Sequence, residues 1–165
     1  MKTIQSKLIL FVFVCSIFTS CVKDEEDGIY FNEINEVKIN YSTIELEILD
    51  LVNNHRESIG LNALEGLDVI SSVALSHTIY MVETGLINHD NFPERNENLV
   101  IKASAKSVGE NVAYGFNSSK GVVGAWLNSD EHRAIIEKSD YTHFGISTEK
   151  DSDGRNYFTQ IFINR

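Results

Sequence analysis

Two stretches in the first half of the chain repeat apolar residues at the spacing of an amphipathic helix. The first begins at Ser42, because Ser42-Thr43-Ile44-Glu45 has the spacing of a capping box, and it ends by Gly60. The second opens at Asp68 and ends at Gly85. The apolar side of the first comprises Ile44, Ile48, Leu51, Val52 and His55, and that of the second Val69, Ile70, Val73, Ala74, His77, Tyr80 and Met81.

Two shorter helices are predicted further along. One follows Ser118-Ser119 and turns Val122, Val123, Trp126 and Leu127 inward. The other starts near Ser129, where Asp130 and Glu131 suit the positive end of a helix dipole, and runs to about Glu137.

Strands are predicted mainly in the last quarter of the chain. Residues 111–115 form a short candidate, whereas residues 143–149 and 156–163 are stronger, and Asp151 to Gly154 between them predicts a hairpin turn. In the last strand Tyr157, Thr159, Ile161 and Ile163 alternate with Phe158, Gln160 and Phe162. The predicted helices come early in the chain and the antiparallel strands come late. This order indicates an α+β fold with helices packed on a sheet.

The N-terminus has the order of a secretory signal. Lys2 and Lys7 precede an apolar run over residues 8–18, which is shorter than the roughly 20 residues that cross a bilayer. Thr19-Ser20-Cys21 then resembles a bacterial lipobox, in which the signal is cut before a cysteine that receives the lipid. We therefore expect a signal peptide over 1–20 and lipidation of Cys21; the alternative is an ordinary signal peptide with Cys21 a free thiol.

Cysteine content agrees with this expectation. The chain has two cysteines, and Cys15 lies inside the signal, so no disulfide is expected in the remaining domain. Residues 21–41 are interpreted as a tether that starts with the acidic run Asp24 to Asp27. That run resembles the surface-export tag of some Gram-negative lipoproteins, although charge runs are often only solvated linkers. Display on the cell surface and location on the inner face of the outer membrane both stay open.

Net charge narrows the class of partner. The chain carries −10 at neutral pH, and loss of Lys2 and Lys7 with the signal makes it more acidic. Such a surface repels phosphate backbones, which argues against nucleic acid, and gives no attraction to anionic lipid. Attachment to a membrane would have to come from acyl chains on Cys21.

Three residues are the candidates for chemistry. His89 follows the second helix, Glu110 enters a strand, and His132 lies in the first turn of the last helix. Two imidazoles and a carboxylate suit a divalent metal such as Zn²⁺, with His89 and His132 as ligands, although no local motif enforces a site and Mg²⁺ is the other metal considered. The alternative, which we favour, is a hydrogen-bond network in which Glu110 accepts from a histidine and from backbone N–H groups.

Other polar or aromatic residues receive structural interpretations. His77 is expected in the core or cleft wall, and His55 is expected to hydrogen-bond across the fold. Trp126 is expected to anchor its helix, and Arg133 to pair with Glu110 or another acidic group. No Ser-His-Asp or Cys-His arrangement is supported, so enzymatic activity is left open.

Several motifs, taken in order, resemble the CAP superfamily of cysteine-rich secretory, antigen 5 and pathogenesis-related proteins, in its short bacterial branch. The resemblance covers about residues 45–163. The segments that carry it are Asn53-Asn54-His55-Arg56, Met81 to His89, Gly109-Glu110-Asn111, Trp126-x-x-Ser129-x-x-His132-Arg133, His143-Phe144-Gly145-Ile146 and Tyr157-Phe158-Thr159-Gln160.

The resemblance implies a three-layer α-β-α sandwich with a mainly antiparallel central sheet, formed by residues 42–165. It also implies a cleft that in many members holds two histidines and two glutamates able to bind a divalent metal. His89, Glu110 and His132 match three of these. Ser129 and Tyr157 replace residues found in eukaryotic members, and Glu131 is the candidate substitute.

The resulting hypothesis is a lipid-anchored protein of the cell envelope, in the outer membrane, that binds a ligand in the cleft of His89, Glu110, Ser129, Glu131 and His132. By analogy with the family, the ligand would be a lipid, a cell-wall fragment or a host protein. The alternatives are a metal-dependent hydrolase of peptide or cell-wall material and a surface adhesin.

Overall fold

The computed structural model describes residues 38–165. The predicted signal peptide, Cys21 and the tether up to residue 37 lie outside the described residues. The elements are, in chain order, α1 (Thr43–Ser58), β1 (Glu65–Gly66), α2 (Asp68–Thr84), α3 (Phe92–Ala103), β2 (Ser107–Tyr114), α4 (Ser119–Asn128), α5 (Asp130–Ile136), β3 (His143–Lys150) and β4 (Asn156–Asn164).

The four strands form one sheet in the order β1-β3-β4-β2. The two-residue β1 pairs parallel with β3, and β4 pairs antiparallel with both β3 and β2. In the second ladder Glu110 lies opposite Ile161 and Asn111 opposite Gln160. The sheet is therefore mainly antiparallel, with β4 in the middle and β2 at one edge.

Helices cover both faces of this sheet. Phe158 and Phe162 of β4 join a core with α1, α4 and α5, and Trp126 lies in that core. Ile161 and Ile163 join a second core with α2 and α3. Because successive side chains of a strand point to opposite faces, the predicted alternation along β4 supplies both cores. The α+β class and the three-layer α-β-α sandwich are confirmed.

The predicted helix ends are also found. Glu45 Oε2 accepts hydrogen bonds from the backbone N–H of Ser42 at 2.8 Å and from its hydroxyl at 2.7 Å, so this carboxylate caps α1. Glu45 Oε1 accepts from the N–H of Thr148 at 2.7 Å, which ties the start of α1 to β3. On the other face, a Cβ on Gly145 would lie 2.5 Å from the backbone nitrogen of Ser71, so only glycine lets α2 approach β3 this closely.

The structure adds two elements that the sequence pattern did not predict. Helix α3 occupies residues 92–103, and the short β1 extends the sheet beyond β3. Strand β2 is also longer than the predicted 111–115, because it begins at Ser107. Within residues 38–165 no helix combines the length and apolar character needed to cross a membrane.

Candidate functional site

Glu110 lies at the centre of the candidate site. Its strand β2 turns the side chain toward α2 and α3, where the residue is 4% exposed. Arg95 of α3 is fully buried and donates from Nε to Glu110 Oε2 and from Nη2 to Oε1, both at 2.7 Å. This is a bidentate fork, the geometry in which a guanidinium binds a carboxylate most strongly.

Two histidines contact this ion pair from the loop after α2 and from α2 itself. His89 Nδ1 lies 2.8 Å from Glu110 Oε1, and because the carboxylate can only accept, Nδ1 carries the proton. His77 is fully buried, and its Nε2 donates to the carbonyl of Asn88 at 2.9 Å. Arg95 Nη1 also donates to the carbonyl of Asp90 at 2.6 Å. The loop that carries His89 is therefore held on both sides of the histidine.

His132 approaches from the opposite face of the sheet, in the first turn of α5. Its Nδ1 lies 2.8 Å from the hydroxyl of Ser129, the residue that precedes the helix. Asn111, the neighbour of Glu110 in β2, donates to the carbonyl of His132 at 3.1 Å. Glu131 is exposed and acts on His132 through its charge, which favours the protonated imidazole.

A cleft of about 340 Å³ opens beside His89 and Glu110, whereas Ser129, Glu131 and His132 do not contribute to its lining. A Cβ on Gly109 would collide with the hydroxyl of Tyr141, so any larger residue at the cleft floor would displace that side chain. Its walls combine one polar end with apolar and aromatic side chains, and the lining residues are His89, Phe92, Val108, Gly109, Glu110, Ile135 and Tyr141. A small apolar cavity with a few fixed polar groups is typical of a ligand site.

The buried charges set the protonation states. Burial alone would raise the pKa of Glu110, but the hydrogen bonds from His89 and Arg95, with the charge of Arg95, outweigh it and lower that pKa. Burial lowers the pKa of His77, and the charge of Arg95 lowers it further. Burial and the charge of His89 also lower the pKa of His132. At neutral pH the site therefore holds an anionic Glu110 with neutral His77 and His132.

The donor set does not fit a resident metal ion with a carboxylate ligand. Both oxygens of Glu110 are already bonded to Arg95, and one of them also to His89. Across residues 38–165, no three His, Cys, Asp or Glu side chains are grouped so that they could hold a metal ion. What the site offers a cation is imidazole nitrogen, whereas structural zinc takes four protein ligands and catalytic zinc three.

The remaining predicted residues lie outside this cluster. Arg133 pairs with Asp130 at 2.6 Å on the surface rather than with Glu110. His55 does hydrogen-bond across the fold, with Glu137 at 2.8 Å. Trp126 is buried, and its indole N–H donates to the carbonyl of Val112 at 3.1 Å. Tyr157 is buried against Tyr114, with ring centroids 4.6 Å apart, so it does not reach the cleft lining.

Sequence reasoning missed Arg95, Phe92 and Tyr141. The expected partners of Glu110 were a histidine and backbone N–H groups; the histidine is present, but Arg95 supplies the other bonds. A signal for it existed, because Pro93 is typical of a first helical turn and Leu99 follows Arg95 at helical spacing. An arginine on the buried stripe of that helix would have required an acidic partner.

Comparison with known families and structures agrees with this architecture. The profile of "CAP: Cysteine-rich secretory protein family" matches residues 49–162. Among curated relatives, the "Uncharacterized membrane protein YlbC" of Bacillus subtilis (strain 168) is 35% identical over 129 residues, which are 75% of this chain and 35% of that protein. YkwD of the same organism is 28% identical over 127 residues, covering 75% of this chain and 48% of that protein. The chain thus spans less than half the length of either relative.

Solved structures show the same fold. An outer surface protein from Borrelia burgdorferi superposes with a TM-score of 0.69 at 27% identity, over 79% of this chain and 99% of that chain. An extracellular protein containing an SCP domain from Bacillus anthracis str. Ames gives 0.63 at 22% identity, over 78% of this chain and 45% of that chain. NaASP2, whose crystal structure was determined with Zn²⁺, gives 0.57 at 12% identity, over 78% of this chain and 83% of that chain, and shows the fold alone.

Proposed function

The chain belongs to the CAP family of cysteine-rich secretory proteins, and from this premise we propose that it is an extracytoplasmic ligand-binding protein whose ligand occupies the cleft lined by His89 and Glu110. The proposal includes attachment to the outer membrane of the cell envelope by acyl chains on Cys21. Residues 38–165 then act as the binding domain outside the cytoplasm.

The observation that carries the proposal is the buried Arg95–Glu110 pair behind an apolar-walled cavity. Burying two charges costs solvation free energy, and the pair offsets it only with good geometry and added hydrogen bonds. Here that arrangement orients His89, whose side chain is 52% exposed at the cleft. Because Glu110 accepts from Nδ1–H of His89, Nε2 is the ring nitrogen that is left to contact a ligand. A fixed polar group beside apolar walls supports recognition of a ligand that has both a polar and an apolar part.

The N-terminal sequence and the relatives support the proposed location. The Borrelia burgdorferi neighbour is described as an outer surface protein and the Bacillus anthracis neighbour as extracellular, which supports an extracytoplasmic place for this chain. YlbC is described as a membrane protein, but this chain spans only 35% of it. For the anchor, we expect palmitate labelling of the wild-type protein and its loss in Cys21→Ser; a Cys21→Ser variant that stays labelled contradicts a lipid on Cys21.

Ligand binding is tested on the full-length protein in mild detergent. Phospholipids, peptidoglycan fragments and short synthetic peptides are titrated separately while the imidazole signals of His89 and His132 are followed by NMR. We expect one class to shift these signals and to bind about tenfold more weakly to His89→Ala, because the cleft then loses the polar side chain that Glu110 holds in place. His143→Ala, on β3 outside the cleft lining, is the matched control. If none of the three classes shifts the signals, the proposal fails.

Metal-dependent hydrolysis of peptide or cell-wall material is the second candidate. One observation favours it: adjacent residues of β2 contact the two histidines, because Glu110 accepts from the His89 ring and the Asn111 side chain donates to the His132 carbonyl. NaASP2, at 12% identity, was crystallised with Zn²⁺. Calorimetric titration of Zn²⁺ into wild type and His89→Ala tests the metal, and identical isotherms remove it. Turnover of peptidoglycan that is unchanged in His132→Ala removes the hydrolase.

A further inference from the structure

The cleft lies along the free edge of the sheet. Strand β2 is the last strand in the order β1-β3-β4-β2, so one of its two backbone edges faces away from β4. The lining side chains come from both faces of the sheet: Val108 belongs to the core under α2 and α3, whereas Ile135 and Tyr141 pack on the opposite core. A cavity lined from both faces must straddle the edge strand itself.

The register shows which backbone groups of β2 point into this cleft. The N–H of Gly115 donates to the carbonyl of Asn156 at 2.8 Å, one pair beyond the ladder. In an antiparallel ladder such pairs recur at every second residue, so the backbone of Gly109 bonds to β4 and that of Val108 and Glu110 points outward. The carbonyl of Val112 agrees with this alternation: it also points away from β4, where it accepts a hydrogen bond from the Trp126 indole.

The outward groups of Val108 and Glu110 are accessible in the cleft. Glu110 is 4% exposed as a residue but 1% exposed in its side chain, so its exposed surface is mainly backbone. Val108 is half-buried. Among residues 38–165, no hydrogen bond in a turn, loop or cap uses the N–H or C=O of either residue. Unpaired backbone groups in a partly buried site require water or a ligand.

We infer that the ligand of this cleft is an extended peptide segment that adds to β2 as a fifth strand, hydrogen-bonded to the backbone of Val108 and Glu110. The inference rests on the proposed ligand-binding function and names its ligand class. Two outward residues pair with a peptide stretch on the order of three residues.

The walls of the cleft match a strand better than an acyl chain. Side chains of an added strand alternate between the faces of the sheet, with one set against Phe92 and Val108 and the other against Ile135 and Tyr141. Both sets of walls are apolar or aromatic, whereas the floor between them is backbone N–H and C=O. An acyl chain would leave those backbone groups unpaired, while β-strand addition satisfies them and takes specificity from alternate side chains.

The test uses the full-length protein in mild detergent and a random library of acetylated, amidated hexapeptides, from which the strongest binder is resynthesised. Val108→Pro removes the outward N–H and leaves the ladder with β4 in place, because proline is tolerated on an edge strand whose N–H faces outward. Val108→Ala is the matched control, since it keeps the N–H and shortens the same side chain. We expect binding to weaken about tenfold in Val108→Pro relative to Val108→Ala, as loss of a backbone hydrogen bond with added steric hindrance implies.

Two further readouts do not depend on the folding of a variant. N-methylation along the hexapeptide should weaken binding at every second residue, because alternate N–H groups face β2. Bound peptide should slow hydrogen exchange of the Val108 and Glu110 amides, and leave the Gly109 amide, already bonded to β4, unchanged.

The outcomes separate this inference from the function on which it rests. Peptide binding with equal affinity in the two Val108 variants and no protection of Val108 and Glu110 overturns strand addition, while the ligand-binding function stands. Absence of any peptide binding, with a phospholipid or peptidoglycan fragment shifting His89, has the same consequence. If neither phospholipids, peptidoglycan fragments nor peptides shift the imidazole signals, both strand addition and the ligand-binding function are contradicted.

Discussion

Two fully buried arginines of this domain, Arg56 and Arg95, have different kinds of hydrogen-bond partner. Arg95, beside the cleft, binds the carboxylate of Glu110 through two nitrogens. Arg56, near the end of α1, has no carboxylate partner among the described residues; its bonds are to backbone carbonyls, those of Asn62 at 3.0 Å, Ile136 at 2.6 Å and Lys138 at 3.0 Å. The Nη2 atom of Arg56 has no bond to residues 38–165.

This difference in partners indicates that Arg56 stabilises the fold, whereas Arg95 positions residues of the cleft. Carbonyl oxygens do not titrate, so the contacts of Arg56 join α1 to the end of α5 at any pH at which the protein folds. A carboxylate titrates and also accepts from His89, so Arg95 controls the geometry and charge of the cleft. The same side chain therefore serves two roles, which are distinguished by its acceptors.

The largest expected effect is that of Arg95→Ala. It leaves Glu110 charged, buried and without its main partner, and we expect a loss of about 3–5 kcal/mol in the free energy of unfolding. Urea denaturation measures it. The matched control is Arg133→Ala, which breaks an exposed pair with Asp130 and should change stability by less than about 1 kcal/mol. Equal losses in the two variants would contradict a special role for the buried pair.

Arg56→Lys should have a smaller effect and spare the cleft. The ammonium keeps the charge but cannot reach three carbonyls in a planar fork, so at least one buried carbonyl loses its partner, at about 1–3 kcal/mol. The imidazole signals of His89 and His132 should stay where they are in the wild type. In Arg95→Lys they should move. A shift of equal size in both variants would show that the two arginines are not separable in function.

The pH dependence of stability further distinguishes the contacts of Arg95 from those of Arg56. Because the pKa of Glu110 is lowered in the folded protein, its contribution to stability is complete above the unfolded value of about 4.3 and is lost as pH falls through the lower folded value. We expect the melting temperature of Arg56→Lys to fall below about pH 4 as steeply as that of wild type, and that of Glu110→Gln to fall less steeply. Parallel curves for wild type and Glu110→Gln would refute this linkage.

The smallest expected effect is that of Ser129→Ala. His132 loses the hydroxyl bonded to its Nδ1, and because the site is only partly buried we expect a loss of about 0.5–1.5 kcal/mol. Ser118→Ala removes another hydroxyl beside a helix start, where it accepts from Gly121 N–H at 3.2 Å, and serves as control for capping. The imidazole signals of His132 should shift in Ser129→Ala and be unchanged in Ser118→Ala; unchanged signals in both variants would mean that Ser129 does not orient His132.

Much of the fold could be predicted because its signals are local. The capping box at Ser42, the start of α2 at Asp68 and the alternation along β4 each depend on a few neighbouring residues. Helix α3 was missed because its buried stripe has few apolar residues and includes Arg95. The two-residue β1 was missed because Glu65 and Gly66 are exposed and carry no periodic pattern.

By itself the sequence determined the residue types at the site and the layers of the fold: His89, Glu110 and His132 were identified from motifs, and both faces of β4 were identified as apolar. Only the tertiary structure decided that Glu110 pairs with Arg95 instead of Arg133, and that the cleft lies on the free edge of β2. The physical reason is that periodicity reports which way a side chain points from its own element. Pairing between elements, and which strand forms an edge, depend on how those elements pack together, which no local pattern contains.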